Sequence, residues 1–177
     1  MAGPDASPPH ERSYWVVPGR LVGGAYPYQP DPTDGEATLR TLRSAGITAF
    51  VDLTEARSPG SWESHLLDYH PSARAMGLEV VRRPIPDMGV PMIGEAIGTL
   101  DEIDRLLADE HTVYVHCWGG IGRTGLTIGT WLIRHRVATG DSVLSLLGEL
   151  RAADQGAGHI TAPQTTEQRT FLCRFAG

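Results

Sequence analysis

Residues 112–125, reading T-V-Y-V-H-C-W-G-G-I-G-R-T-G, constrain this chain more than any other stretch. Residues 112–115 are β-branched or apolar, which predicts a buried strand. Residues 126–137 are largely apolar, with Gly129 the one glycine and no proline, which predicts a buried helix. The turn between them holds Gly119, Gly120 and Gly122, so few side chains stand in the way. Successive backbone N–H groups can then converge on one anion, and the start of the helix adds partial positive charge there. Cys117 opens the turn and Arg123 closes it, with five residues between. A guanidinium grips phosphate oxygens in two-pronged fashion, which an ammonium cannot match.

A thiol inside such a ring faces inward dipoles, a helix N-terminus and a cation, and this setting favours the thiolate. The same cradle would hold a substrate's phosphoryl oxygens over the sulfur. That arrangement suits in-line attack of sulfur on phosphorus through a cysteinyl-phosphate. Thr124 follows directly, and its hydroxyl could donate to the sulfur as it leaves. Ester cleavage also needs a proton for the departing oxygen. Asp87 is the candidate acid, on a proline-rich loop just after a predicted strand, with Gly89 as a hinge that could let the loop close. Trp118 stands where side chains of the turn project, either lining the pocket mouth or packing in the core.

The pattern His116-Cys117, five residues, Arg123-Thr124-Gly125 resembles the signature of cysteine-dependent protein tyrosine and dual-specificity phosphatases. Ile85-Pro86-Asp87 resembles the general-acid loop of the dual-specificity branch. Residues 15–23, 52–55 and 167–168 also look like parts of the small atypical, bacterial-type members. The likeness spans residues 13–175, except 58–75, where no pattern matches. It implies the phosphatase fold, a phosphate loop of His116, Trp118, Gly119, Gly120, Ile121, Gly122 and Arg123, and catalysis without metal or cofactor. It further implies that His116 bonds within the loop and tunes the thiolate. Residues 162–168 resemble the family's Gln-bearing loop, which makes Gln164 the residue expected to position the second-step water. The implied substrates are phosphotyrosine, and phosphoserine or phosphothreonine, on proteins. Phosphate, sulfate and vanadate are expected to bind the loop as inhibitors.

Other readings fit less well. No Lys follows the glycines, so there is no Walker pattern. A dinucleotide fingerprint would want other residues at Cys117 and Arg123 and an acid about 20 positions on. A rhodanese-type loop also begins with Cys, but an Arg-Thr closure is less expected there. A phosphoinositide phosphatase would favour basic residues within 118–122, and there are none. A phosphoprotein-binding module without turnover would typically lack the Cys or the acid. The histidine pairs do not have metal-site spacing, and two cysteines, Cys117 and Cys173, make neither a disulfide framework nor a zinc site.

A length of 177 residues suits one domain with a real core. The net charge of −6 argues against nucleic acid as a partner, so an anionic substrate must be drawn by a local field. All 15 basic residues are Arg, which removes lysine chemistry. No apolar run is long enough to span a membrane, residues 1–12 do not read as a signal peptide, and a working thiolate wants a reducing compartment; a cytoplasmic protein is expected. Residues 1–12 are expected to be a disordered tail and 13–177 the catalytic domain.

Along the chain, strands are expected near 14–17, 20–22, 47–53, 78–83 and 112–115. Helical spacing appears over 34–45 and 92–107, with a partly helical stretch over 65–76. Asp141 reads as the cap of a helix through 150, and Thr165 with Gln168 has capping-box spacing for a last helix to 175. Such alternation implies an α/β domain with a central, mostly parallel or mixed sheet of about four to five strands and helices on both faces. Cys117 would then lie at the carboxyl end of a central strand, where ligands of such sheets bind. Asp101, Glu102 and Asp104 read as a solvated helix face.

Overall fold

The computed structural model describes residues 7–28 and 32–175. Five strands form one sheet: β1 (Ser13–Val17), β2 (Leu21–Gly24), β3 (Ala49–Asp52), β4 (Glu79–Arg82) and β5 (Val113–His116), in the order β1-β2-β5-β3-β4. β1 runs antiparallel to β2, and the other pairs are parallel. β5 is therefore central, and its four residues are all buried, as its unbroken apolar run requires. Its register sets His116 beside Gly24 on one side and Asp52 on the other, so three strand ends converge just before Cys117.

Helices cover both faces, as expected. α1 (Pro32–Ser44) and α2 (His70–Ala75) pack Leu39, Leu42, Tyr69 and Ala73 against Phe50 and Tyr114. The other face carries α3 (Ile93–Ala108), α4 (Gly122–Arg134), α5 (Val143–Arg151) and α6 (Thr166–Arg174). α4 is sunk in the middle of that layer: Leu126, Ile128, Trp131 and Leu132 are all buried. Each such side chain contributes about 1.5–3 kcal/mol by leaving water. Around so anchored a helix, the loop at its start has a rigid base. Ala138 is still buried beyond α4, but Val137 is exposed, so the buried helix ends earlier than its apolar pattern suggests.

Two local expectations need correction. Asp141 does not cap α5; Ser142 is the cap residue, and its hydroxyl accepts the Thr139 N–H instead. The stretch 65–76 is partly helical, as expected, since α2 spans 70–75, and a 3-10 helix, Trp62–His65, precedes it. Of the expected tail, residues 1–6 lie outside the described residues, but 7–12 are tied down. Arg12 bonds Asp154 at 2.9 Å, and the Trp15 indole donates to the Ser7 carbonyl. The capping box of α6 is as expected: the Gln168 N–H donates to the Thr165 hydroxyl and the Gln168 amide oxygen accepts the Thr165 N–H, both at 3.1 Å. Among the described residues, no helix is long and apolar enough to cross a membrane.

Candidate active site

The turn after β5 is held open by its own carbonyls. The Cys117 carbonyl lies 3.2 Å from His116 Nδ1. The Trp118 carbonyl accepts the Tyr26 N–H at 2.9 Å, and the Gly119 carbonyl accepts from the Arg12 guanidinium at 3.1 Å. Three successive carbonyls of the turn are thus engaged by His116, Tyr26 and Arg12. Gly120 allows this path. Its φ is +71°, and a Cβ there would stand 2.6 Å from the Gly24 carbonyl carbon. β2 passes that close because it pairs with β5.

His116 is fully buried, and burial holds its pKa below the ordinary imidazole value, so the ring is neutral. A carbonyl can only accept, so Nδ1 carries the proton and donates to Cys117. Nε2 then accepts from the Tyr69 hydroxyl at 2.6 Å, and burial keeps that phenol protonated by raising its pKa. Behind His116 lies Asp52. Burial alone would raise that carboxyl. The hydrogen bond from His70 and two from Thr54 offset this and hold it below the usual range. Arg57 joins Asp52 and Asp68, which staples residues 54–70 to the end of β3.

That stapled segment carries the residue that sequence reasoning missed. Glu63, fully buried in the 3-10 helix, grips Arg123 with both oxygens: Oε1 to Nη2 at 2.6 Å and Oε2 to Nη1 at 2.9 Å. Burial works against the charge on Arg123, but Glu63, then Cys117 and Asp87, push its pKa above the ordinary value. A buried guanidinium in an anion cradle needs such a counter-ion to fix its plane. Glu63 lies 60 residues from Arg123, and no spacing distinguished it from Glu55. Glu55 in turn donates its N–H to Glu63 and accepts the Asp87 N–H.

Asp87 comes to the same place from the loop after β4. Its carboxylate stands 2.9 Å from Arg123 Nη2, and the Ile85 carbonyl accepts from Nη1 at 3.3 Å. Met88, at φ 61°, makes the strained turn that follows. Gln168 does more than cap α6: its amide donates to the Gly89 carbonyl at 2.9 Å, so α6 holds the loop that carries Asp87. Together these elements enclose a cavity of about 150 Å³, lined by Cys117 at its base, Arg123, Asp87, Trp118, Gln164 and Gln168 among others. Gln164 is exposed at the rim and Trp118 is 48% exposed, at the mouth rather than in the core. The Thr124 hydroxyl donates to the Gly24 carbonyl at 3.4 Å. Asp101, Glu102 and Asp104 lie elsewhere, paired with Arg134, Arg105 and His135.

Cys117, Arg123 and Asp87 thus face one cavity at the end of the central strand, and solved phosphatase structures share the fold. Tk-PTP in its active form matches with a TM-score of 0.71 and 23% identity, over 93% of this chain and 96% of that one. PTPMT1 in complex with PI(5)P gives 0.70 and 18%, over 92% and 94%. A Cys-to-Ser form of P. aeruginosa TpbA in complex with pTyr gives 0.67 and 15%, over 97% and 91%. The chain belongs to the family described as "Polymorphic toxin system, DSP-PTPase phosphatase", whose model matches residues 23–137. Cyclin-dependent kinase inhibitor 3 of Rattus norvegicus is 30% identical over 135 residues, covering 76% of this chain and 59% of the relative. This chain thus spans little more than half the length of that curated relative. Arg12, Asp154, Gln164 and Gln168 fall outside the matched stretch.

Proposed function

We propose that the chain hydrolyses phosphate monoesters, phosphotyrosine first among them, without a metal. The observation that carries this reading is the shared cavity of Cys117, Arg123 and Asp87, with Arg123 fixed by Glu63. In the first step the Cys117 sulfur attacks phosphorus, the bond to the ester oxygen breaks, and Asp87 gives that oxygen its proton. Arg123 and the loop amides carry the charge on the three equatorial oxygens, the task a divalent cation performs elsewhere. In the second step Asp87 takes a proton from a water positioned by Gln164. That water attacks phosphorus, the phosphorus–sulfur bond breaks as the Thr124 hydroxyl turns from the Gly24 carbonyl to donate to the departing sulfur, and inorganic phosphate leaves.

A protein substrate fits better than an inositol phosphate. Residues 118–122 bring no basic side chain to the mouth, so a multiply charged headgroup would find one guanidinium and a carboxylate there. TpbA with pTyr and PTPMT1 with PI(5)P represent the two alternatives on one fold. The test is steady-state hydrolysis of an aryl phosphate with and without a chelator. Turnover should survive chelation and vanish in Cys117→Ser, which should still bind phosphate. A chelator-sensitive rate, or an active serine variant, contradicts the proposal.

A further inference from the structure

The 3-10 helix Trp62–His65 does two things at once. Glu63 turns inward onto Arg123, while Trp62, its immediate neighbour, turns outward and is 47% exposed. Its indole meets the Trp118 indole edge to face, with ring centroids 4.8 Å apart. Trp118 lines the cavity over Cys117 and is itself 48% exposed. Trp62 is braced from behind: the His65 ring packs on it at 5.7 Å, and His65 Nδ1 lies 2.6 Å from its carbonyl. Across the mouth Met88 is 47% exposed on its strained turn. Two large indoles held half in water beside a phosphate cradle keep apolar surface available for a ligand ring rather than for the core.

Resting on the proposed phosphatase reading, we infer that the Trp62–Trp118 pair is an aromatic wall that selects aryl over alkyl phosphate esters, with Trp118 facing the leaving group and Trp62 positioning Trp118. A phosphotyrosyl ring above Cys117 would emerge alongside Trp118, where stacking is available. A seryl or threonyl group carries no ring and gains nothing from it. Because Glu63 and Trp62 are adjacent, the helix that sets the plane of Arg123 also sets the distance from phosphate to wall. This gives the segment around Trp62 and Glu63 a role in substrate choice.

The test measures kcat/KM for two peptides with identical flanks, one phosphotyrosyl and one phosphoseryl. Wild type is compared with Trp62→Leu, Trp62→Phe and Trp118→Ala. Leaving-group chemistry is the same in every variant, so the change in the aryl-to-alkyl ratio isolates the wall. Aromatic pairing of this kind predicts a ratio about three- to tenfold lower in Trp62→Leu and Trp118→Ala, carried by KM for the aryl peptide. Trp62→Phe, which keeps a ring edge on Trp118, should retain the ratio. The exciton-coupled circular dichroism of the indole pair should disappear in all three. A ratio unmoved in Trp62→Leu and Trp118→Ala, or lowered equally in the Leu and Phe variants, overturns the wall and leaves the phosphatase reading intact. Wild-type protein that hydrolyses neither peptide, or only inositol phosphates, overturns both.

Discussion

Asp87 bonds to one of the guanidinium donors that phosphate oxygens would use, so substrate entry must exchange one acidic partner of Arg123 for another. Glu63 keeps its two contacts below, and Asp87 becomes free to approach the ester oxygen. Asp87→Asn removes the transferable proton while keeping a similar shape. It should lower kcat on alkyl or weakly acidic phenolic esters by about 10²–10³, and far less on an ester whose leaving group departs unaided. A Brønsted plot of log kcat against leaving-group pKa checks this, and an equal loss across the series would contradict the acid role. Cys117, Arg123 and Asp87 were legible in the sequence because chemistry restricts which residues can stand at those positions. Glu63 was not, because a buried counter-ion can come from any part of the chain that the fold brings near. Gln168 was half legible: its three-residue spacing from Thr165 announced the cap, but nothing local announced its bond to Gly89, 79 residues away.

At the scale of elements, the phosphate loop is held by neighbours on both sides. The segment before β1 reaches it through Arg12, whose Nη2 donates to the Gly119 carbonyl while its Nε bonds the buried Asp154. Asp154 also accepts the Gly156 and Ala157 N–H groups, so the 154–157 turn and the loop share one arginine. Arg12→Ala removes a charge-assisted bond and leaves a buried carboxylate with a weaker partner, Arg151 at 3.9 Å. Phosphate affinity is expected to fall roughly tenfold, with Arg12→Lys recovering part of it. Isothermal titration with phosphate measures this, and unchanged affinity in Arg12→Ala would remove Arg12 as a loop support. The strands and long helices themselves were readable, since alternation and helical periodicity are local properties. What periodicity could not reveal was a contact spanning 142 residues, and so residues 7–12 looked like a tail. The short 3-10 helix escaped notice for a related reason: one turn has no period to detect.

For the whole molecule, buried groups around β5 tie stability to pH. Burial lowers the pKa of His116 and His10, so the unfolded chain binds more protons than the native one below the ordinary value of 6.5. Stability is therefore fully present above pH 6.5 and lost as pH falls through the window beneath it, with the fully buried His116 contributing more than the half-exposed His10. Asp52, held low, adds a second loss below the ordinary carboxyl value of 3.8. Thermal unfolding across pH should show the midpoint descending in these two stages, with the first reduced in His116→Asn. A midpoint that rises on acidification from pH 7 to 5 would contradict the buried neutral histidine. On the proposed mechanism the Cys117 sulfur, at the end of the central strand, takes up the phosphoryl group, and the direct test is rapid quench of the protein with an aryl phosphate, followed by mass spectrometry of the Cys117 peptide. The account predicts a phosphoryl group on the Cys117 sulfur during turnover, with none on Cys173. Steady turnover with Cys117 unmodified at every quench time would contradict it.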